Sequence, residues 1–196
     1  MSTLLINASP ARRSRSAALL DAARLKLQQQ GEPTRSLRLA DLPAQPLLAG
    51  AHEDAAIRHA VAQVEAADAI VIATPVYKAA YSGLLKVFLD LLPQAALKDR
   101  TVLPLATGGS SHHMLALDYA LRPVLQSLVA RNILPGVYAV EAQIALTPEG
   151  AYALAQDLDR RLAEAVTNLL AEQRLAAAAR NERREQVPFS QVRCCV

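Results

Sequence analysis

Three short stretches of this chain gather side chains suited to holding a phosphate and a flat ring. The first is Ala8-Ser9-Pro10-Ala11-Arg12-Arg13-Ser14-Arg15-Ser16, with three hydroxyls and three guanidinium groups just ahead of a helical pattern. Unpaired backbone N–H groups point outward at a helix start, so Ser donors and a nearby Arg there form a phosphate site. Ser14 or Ser16 equally suits a plain N-cap with the arginines solvated. Neither G-x-x-x-x-G-K-[ST] nor G-x-G-x-x-G occurs, so the triphosphate loop and the dinucleotide fingerprint are both missing. A hydroxyl-rich loop of this kind suits a monophosphate that is not being transferred.

The second stretch is Thr74-Pro75-Val76-Tyr77-Lys78-Ala79-Ala80-Tyr81-Ser82-Gly83. Pro75 stiffens it, and Val76 and Tyr77 can lie against a ring with their amides at its edge. The alternative is a strand-to-helix turn in which Tyr77 and Tyr81 pack as neighbours. The third is Thr107-Gly108-Gly109-Ser110-Ser111-His112-His113, whose paired glycines allow close backbone approach and positive φ. Adjacent His112 and His113 point in different directions and no third ligand has matching spacing, so no metal is expected. No nucleophile elbow is present, and cysteines only at 194 and 195 exclude a Cys-x5-Arg phosphatase loop. Together the three stretches describe a flavin mononucleotide site, with the phosphate in the first and the isoalloxazine ring against the other two.

The hydrophobic pattern supplies the elements that would position these loops. Short apolar runs at 3–7, 34–39, 69–73, 101–106 and 133–140 read as strands. Helical spacing runs over 16–30, 53–66, 81–92, 113–129 and 151–171, the last introduced by Thr147-Pro148-Glu149 as a helix-start signal. Apolar runs without polar alternation imply burial on both faces, hence a parallel sheet covered by helices on both sides. Right-handed crossovers make a doubly wound α/β sandwich the simplest topology. Ligands in such sheets bind at the carboxyl ends of the strands. The three stretches follow the first, third and fourth strands, so they fall on one rim.

Composition removes other classes. Apolar residues make up 52% and charged residues 20% of 196, which excludes a disordered chain. No apolar run approaches the roughly 18 residues of a membrane span, and no signal peptide is legible at the start, so no membrane association is expected. Adjacent Cys194 and Cys195 cannot build a disulfide framework, which fits a reducing cytoplasm. A net charge of only +3, no Trp and 4% aromatic residues argue against a nucleic-acid partner. Residues 1–176 read as one domain. Residues 177–196 read as a helix extension and a flexible basic tail.

At four stretches the chain resembles the NADPH-dependent FMN reductase family, and within it the alkanesulfonate-associated FMN reductases of two-component sulfonate monooxygenase systems. They are Ala8-Ser9-Pro10 with Ser14-Arg15-Ser16, Ala-Thr-Pro-Val-Tyr-Lys-Ala-Ala-Tyr-Ser-Gly at 73–83, Leu-Pro-Leu-Ala-Thr-Gly-Gly at 103–109 and Leu-Asp-Tyr-Ala-Leu-Arg-Pro at 117–123. The likeness spans residues 1–175. It implies a flavodoxin-like three-layer sandwich whose five-stranded parallel sheet has order 2-1-3-4-5, with helices on both faces. It implies an enzyme that reduces FMN, taken as substrate or loosely bound, with NADPH or NADH. Reduced flavin then passes to a monooxygenase that releases sulfite from organosulfonates, a step of sulfur assimilation. Carried over position by position, Ser9, Ser14, Arg15 and Ser16 bind the FMN phosphate. Pro75, Val76, Tyr77 and Lys78, with Thr107, Gly108, Gly109 and Ser110, line the ring. Tyr119 falls in a π-helical insertion at the interface of a homotetramer or homodimer. Ala8 stands where the family usually has Gly, and Arg122 where Lys is frequent.

Tyr119 is also singled out by its neighbourhood. Pro123 sits inside a helical pattern, where its ring clashes with the carbonyl of Tyr119. A π-bulge relieves the clash, and so does a simple kink. Apolar residues on more than one side of this segment, including Met114, Leu115, Leu121 and Leu125, suggest burial against another subunit.

Hydride transfer from nicotinamide C4 to flavin N5 needs stacked rings and stabilised charge at the flavin N1/O2 edge, not an acid–base pair. Backbone N–H groups of 108–110 or 76–77 suit that role, and no catalytic side chain is assigned. Arg12 and Arg13 match the NADPH 2′-phosphate by charge alone. Two rival readings use the same fold. One is a quinone or azo reductase that keeps its FMN. The other is a non-enzymatic FMN electron carrier, a class usually acidic where this chain is slightly basic.

Overall fold

A computed structural model describes residues 2–148 and 150–184 of the protein. Its sheet is built on β1 (Thr3–Asn7), β2 (Thr34–Arg38), β3 (Ala69–Tyr77) and β5 (Thr101–Gly108), parallel and in the order β2-β1-β3-β5. The next position is shared by β6 (Asn132–Ile133) and β7 (Val137–Val140), both parallel to β5. The expected order 2-1-3-4-5 of a flavodoxin-like fold is therefore present, with the fifth strand in two pieces. A short β4 (Ala80–Tyr81) folds back antiparallel on the end of β3.

Helices cover both faces because the central strands are apolar throughout. Ile70, Val71, Ile72, Val102, Leu103 and Leu105 are all fully buried. On one face α1 (Arg15–Gln29) and α6 (Gln156–Arg184) bring Leu19, Leu27, Leu158, Leu162 and Val166 onto Leu5, Val71 and Leu103. On the other, α2 (Ala44–Ala49), α3 (Ala55–Glu65), α4 (Gly83–Leu89) and α5 (Arg122–Ser127) bring Leu47, Ile57, Val64, Phe88 and Leu125 onto Leu4, Ile6, Ile70 and Val102. A fully buried Phe or Leu contributes about 1.5–3 kcal/mol relative to exposure, so these two layers carry most of the driving force for folding. Ser14, Asp54 and Ser82 cap α1, α3 and α4 with their side-chain oxygens.

The break in the fifth strand has a local cause. Val102 pairs with Ile133 and Leu105 with Val137, so Leu134, Pro135 and Gly136 face only Leu103 and Pro104. That is one extra residue, a bulge opposite a proline that brings no N–H to the ladder. Gly136 fills the tight spot: a Cβ there would lie 2.6 Å from Leu117 Cδ1 and 3.0 Å from the Pro104 carbonyl oxygen.

The pattern misplaced several elements. The segment 113–129 is not one helix: a 3-10 turn (Ser111–His113), a π-helical turn (Leu117–Leu121) and α5 follow one another. The stretch after 147 does not open a helix. It closes a hairpin of β8 (Ile144–Leu146) and β9 (Tyr152–Leu154), and α6 starts only at Gln156. Tyr152, Ala153 and Leu154 alternate, and Tyr152 and Leu154 pack on the α1 side of the core, a period of two that outweighs the helical stripe. α2 and β4 were not anticipated. Residues 177–184 continue α6, whereas 185–196 of the expected flexible tail, with Cys194 and Cys195, lie outside the described residues. Among the described residues no helix is long and apolar enough to cross a membrane.

Gly136→Ala should destabilise the protein by about 1–3 kcal/mol, the usual effect of overpacking a tight contact. A lowered urea midpoint at unchanged slope would report it.

Candidate functional site

The three stretches lie together because their strands are in register. Asn7 pairs with Ala73 and Pro75 with Thr107, so the chain leaves β1, β3 and β5 at the same rim. The Ala8 N–H donates to the Ala73 carbonyl at 2.9 Å. In the first stretch, Asn7 Oδ1 accepts from the Ser9 N–H at 3.0 Å and Ser9 Oγ accepts from the Ala11 N–H at 3.2 Å. Ser14 Oγ accepts from the Ala17 N–H at 3.1 Å and lies 3.2 Å from Ser16 Oγ. Ser9 and Ser16 are fully buried, so the loop is wound around its own hydroxyls at the start of α1.

The arginines divide their work. Arg15 donates from Nε to the Ile144 carbonyl at 3.2 Å and pairs with Glu141 at 3.4 Å, so its guanidinium is engaged on the β8–β9 side. Arg13 donates to the Gly150 carbonyl. Both tie the hairpin to the head of α1, while Arg12 is exposed. A groove of about 340 Å³ between α1 and the hairpin is lined by Arg12, Arg13, Ala18, Asp21, Leu25 and Tyr152.

In the second stretch, β3 runs past Ala73 to Tyr77 and turns through Lys78 and Ala79 into β4. Those two residues have φ of 50° and 64°. Such left-handed pairs belong to tight hairpins, where Gly and Asn are usual. For residues with a Cβ the conformation costs roughly 1–2 kcal/mol each, held here by the sheet beneath. Pro75 is buried, Val76 half-buried and Tyr77 51% exposed at the tip. Thr74 Oγ1 donates to the Pro75 carbonyl at 3.0 Å and accepts from the Ser82 N–H at 2.9 Å. Ser82 Oγ then donates to the Ala8 carbonyl at 2.7 Å and accepts from the Leu85 N–H at 3.2 Å. This buried chain joins the first stretch to the second. Burial, opposed by nearby Lys86, raises the Tyr81 phenol above its ordinary pKa, so Tyr81 is neutral beside this joint.

In the third stretch, Gly108 is buried and Gly109 exposed. Neither uses the positive φ that glycine permits. A Cβ on Gly109 would meet nothing within 4 Å, so this position is open. Ser110 Oγ accepts from the His112 N–H at 3.2 Å and lies 3.0 Å from His112 Nδ1. Val76 Cβ is 3.5 Å from where a Gly108 Cβ would be, so the second and third stretches touch. Among the described residues no group of three His, Cys, Asp or Glu side chains is arranged to hold a metal ion.

The rim suits an organic phosphate with a flat ring. Its three stretches contain no carboxylate, the first leads into the start of α1, and Gly109 and Tyr77 are exposed. The π-helical turn packs against β4 at the same end of the molecule. Tyr119 is 79% exposed there, beside exposed Met114 and Leu115. Arg122 pairs with Asp118 at 3.1 Å and donates to the Ile133 and Leu134 carbonyls at 3.0 and 3.3 Å, fastening the turn to the fifth strand. Thr74, Ser82 and the hairpin at 144–154 were not among the expected site residues. Their hydroxyls, near the two ends of the second stretch, were the one sign of the first two.

The chain as a whole is similar to known proteins. The family model described as NADPH-dependent FMN reductase matches residues 1–145. An FMN reductase (NADPH) of Pseudomonas putida is 44% identical over 163 residues, covering 83% of this chain and 83% of that protein. An FMN reductase (NADPH) of Escherichia coli is 45% identical over 144 residues, covering 74% and 75%. The crystal structure of the apo form of an NADH:FMN oxidoreductase, EMOB, matches with a TM-score of 0.78 at 40% identity, over 86% of this chain and 87% of that one.

Ser82→Ala should cost about 1–3 kcal/mol, because the buried Ala8 carbonyl loses its donor, and Ser82→Thr should recover most of it. Urea denaturation of the two variants measures the difference.

Proposed function

This chain belongs to the NADPH-dependent FMN reductase family and reduces FMN with NAD(P)H; from that premise we propose that FMN is a substrate that enters and leaves at the rim of β1, β3 and β5. The observation that carries this reading is the openness of the rim: among the described residues Tyr77 is half-exposed and nothing lies within 4 Å of where a Gly109 Cβ would be. Ser9, Ser14 and Ser16 with the head of α1 receive the phosphate, and Arg15 sits beside them, held by Glu141. Pro75 to Lys78 and Thr107 to Ser110 border the ring from two sides.

Bound FMN supplies the hydride acceptor, and the nicotinamide supplies the hydride. The protein holds the ring face open for stacking and keeps backbone N–H groups near its edge. Arg12, free of the hairpin that occupies Arg13 and Arg15, takes the NADPH 2′-phosphate at the mouth of the adjoining groove. The names of the relatives carry both reductants, NADPH for the Pseudomonas putida protein and NADH for EMOB, so both belong in the assay.

Released reduced flavin serves a reduced-flavin-dependent monooxygenase acting on organosulfonates in the cytoplasm. The exposed Met114, Leu115 and Tyr119 face joins subunits of a homotetramer, and support comes from the size of this apolar face on a turn otherwise well packed. Because the π-helical turn rests on β4, assembly and the ring-side hairpin are mechanically linked.

The purified protein should be nearly colourless and should oxidise NADPH only when FMN is added. Tyr119→Ala should raise the retained flavin several-fold and shift the light-scattering mass below a tetramer. A yellow wild-type protein active on quinones without added flavin would favour the retained-FMN reading instead.

A further inference from the structure

The two glycines of the third stretch are glycine for different reasons. Gly109 has open space around it, whereas a Cβ on Gly108 would lie 2.2 Å from the Tyr138 hydroxyl oxygen and 3.2 Å from Tyr138 Cζ. Gly108 has no left-handed φ, so room rather than conformation demands glycine there. Tyr138 stands in β7 opposite Ala106 of β5, its ring inside the core. Its hydroxyl passes over Gly108 and donates to the Ser110 carbonyl at 2.6 Å. Behind it, Arg161 of α6 donates to the Tyr138 carbonyl at 3.2 Å. Ser110 Oγ is already occupied with His112. The loop from 108 to 110 is thus gripped at its carbonyl from below and at its hydroxyl from the following turn.

We propose that Tyr138 is a positioning residue for the flavin ring: its phenol fills the space of the missing Gly108 side chain and its O–H clamps Ser110, fixing the peptide planes of 108–110 before the ring arrives. The proposal rests on the reading that this loop borders the ring. Hydrogen-bonded preorganisation of this kind spares the loop an ordering cost on binding. Burial raises the Tyr138 phenol above its ordinary pKa, so the donor keeps its proton throughout the neutral range.

Tyr138→Phe, Gly108→Ala, their double variant and Gly109→Leu are compared by steady-state NADPH oxidation with varied FMN, with thermal melting as a check on folding. Tyr138→Phe should raise the FMN KM about tenfold, the size of one lost hydrogen bond, with kcat and the NADPH KM within about twofold. Gly108→Ala should be worse than Tyr138→Phe. The double variant should return to within about threefold of Tyr138→Phe, because the added methyl no longer meets the phenol oxygen. An FMN KM unmoved by Tyr138→Phe, or a double variant no better than Gly108→Ala, would overturn the clamp. If Tyr138→Phe folds poorly, Gly108→Ala in the wild-type background decides: its FMN KM should rise at least about tenfold, and an unchanged FMN KM would overturn the clamp. Gly109→Leu should raise the FMN KM steeply whatever Tyr138 does; no effect there would remove the loop from the ring site, and the proposal with it.

Discussion

One buried hydroxyl holds the working end of this molecule together. Strand β1 ends at Asn7, and the carbonyl of Ala8 beyond it is out of reach of the ladder and out of reach of water. Buried backbone acceptors must find a donor. Ser82 supplies it at 2.7 Å while capping α4, and its own N–H is taken by Thr74. Two loops whose bonded residues lie 74 positions apart in the chain therefore share one seam. The proposed phosphate side and the proposed ring side cannot drift apart without exposing a buried carbonyl.

Around that seam the chain accepts local conformations that would not persist alone. Lys78 and Ala79 are held left-handed, the fifth strand bulges opposite Pro104, and the helix before Pro123 opens into a π-helical turn. Each is adjacent to a well-packed element: β3 and β4 under the hairpin, Leu117 on Gly136, and Arg122 on the fifth strand. Left-handed residues also occur at the other end of the sheet, where Asp99 and Val129 precede β5 and β6 with φ of 60° and 64°, while the central strands between the two ends are apolar and buried.

The architecture was legible because the strands are unbroken apolar runs and the helices repeat Leu and Val at helical spacing. Leu4 to Ile6, Ile70 to Ile72 and Val102 to Leu105 announce burial on two faces, and their order along the chain leaves one simple topology. The failures came where two patterns compete. Leu154 continues a helical stripe with Leu158 and Leu162, yet it also alternates with Tyr152, and contact with α1 decides for the strand. The segment 113–129 has helical spacing throughout, and only Pro123 signals that its hydrogen bonds are not regular.

For the rim, residue types alone identified the three stretches, because hydroxyls and arginines before a helix, a proline-stiffened turn and paired glycines are each chemically suggestive. They could not show that Arg15 would be drawn to Glu141, that Ser110 would spend its hydroxyl on His112, or that Gly108 is glycine for the sake of Tyr138. Sequence alone determined the layers and the chemical character of the loops, since both depend on the periodicity and type of near neighbours. The tertiary structure alone decided which polar groups remain free to meet a ligand, because that depends on partners distant in the chain and brought into reach only by the register of the sheet.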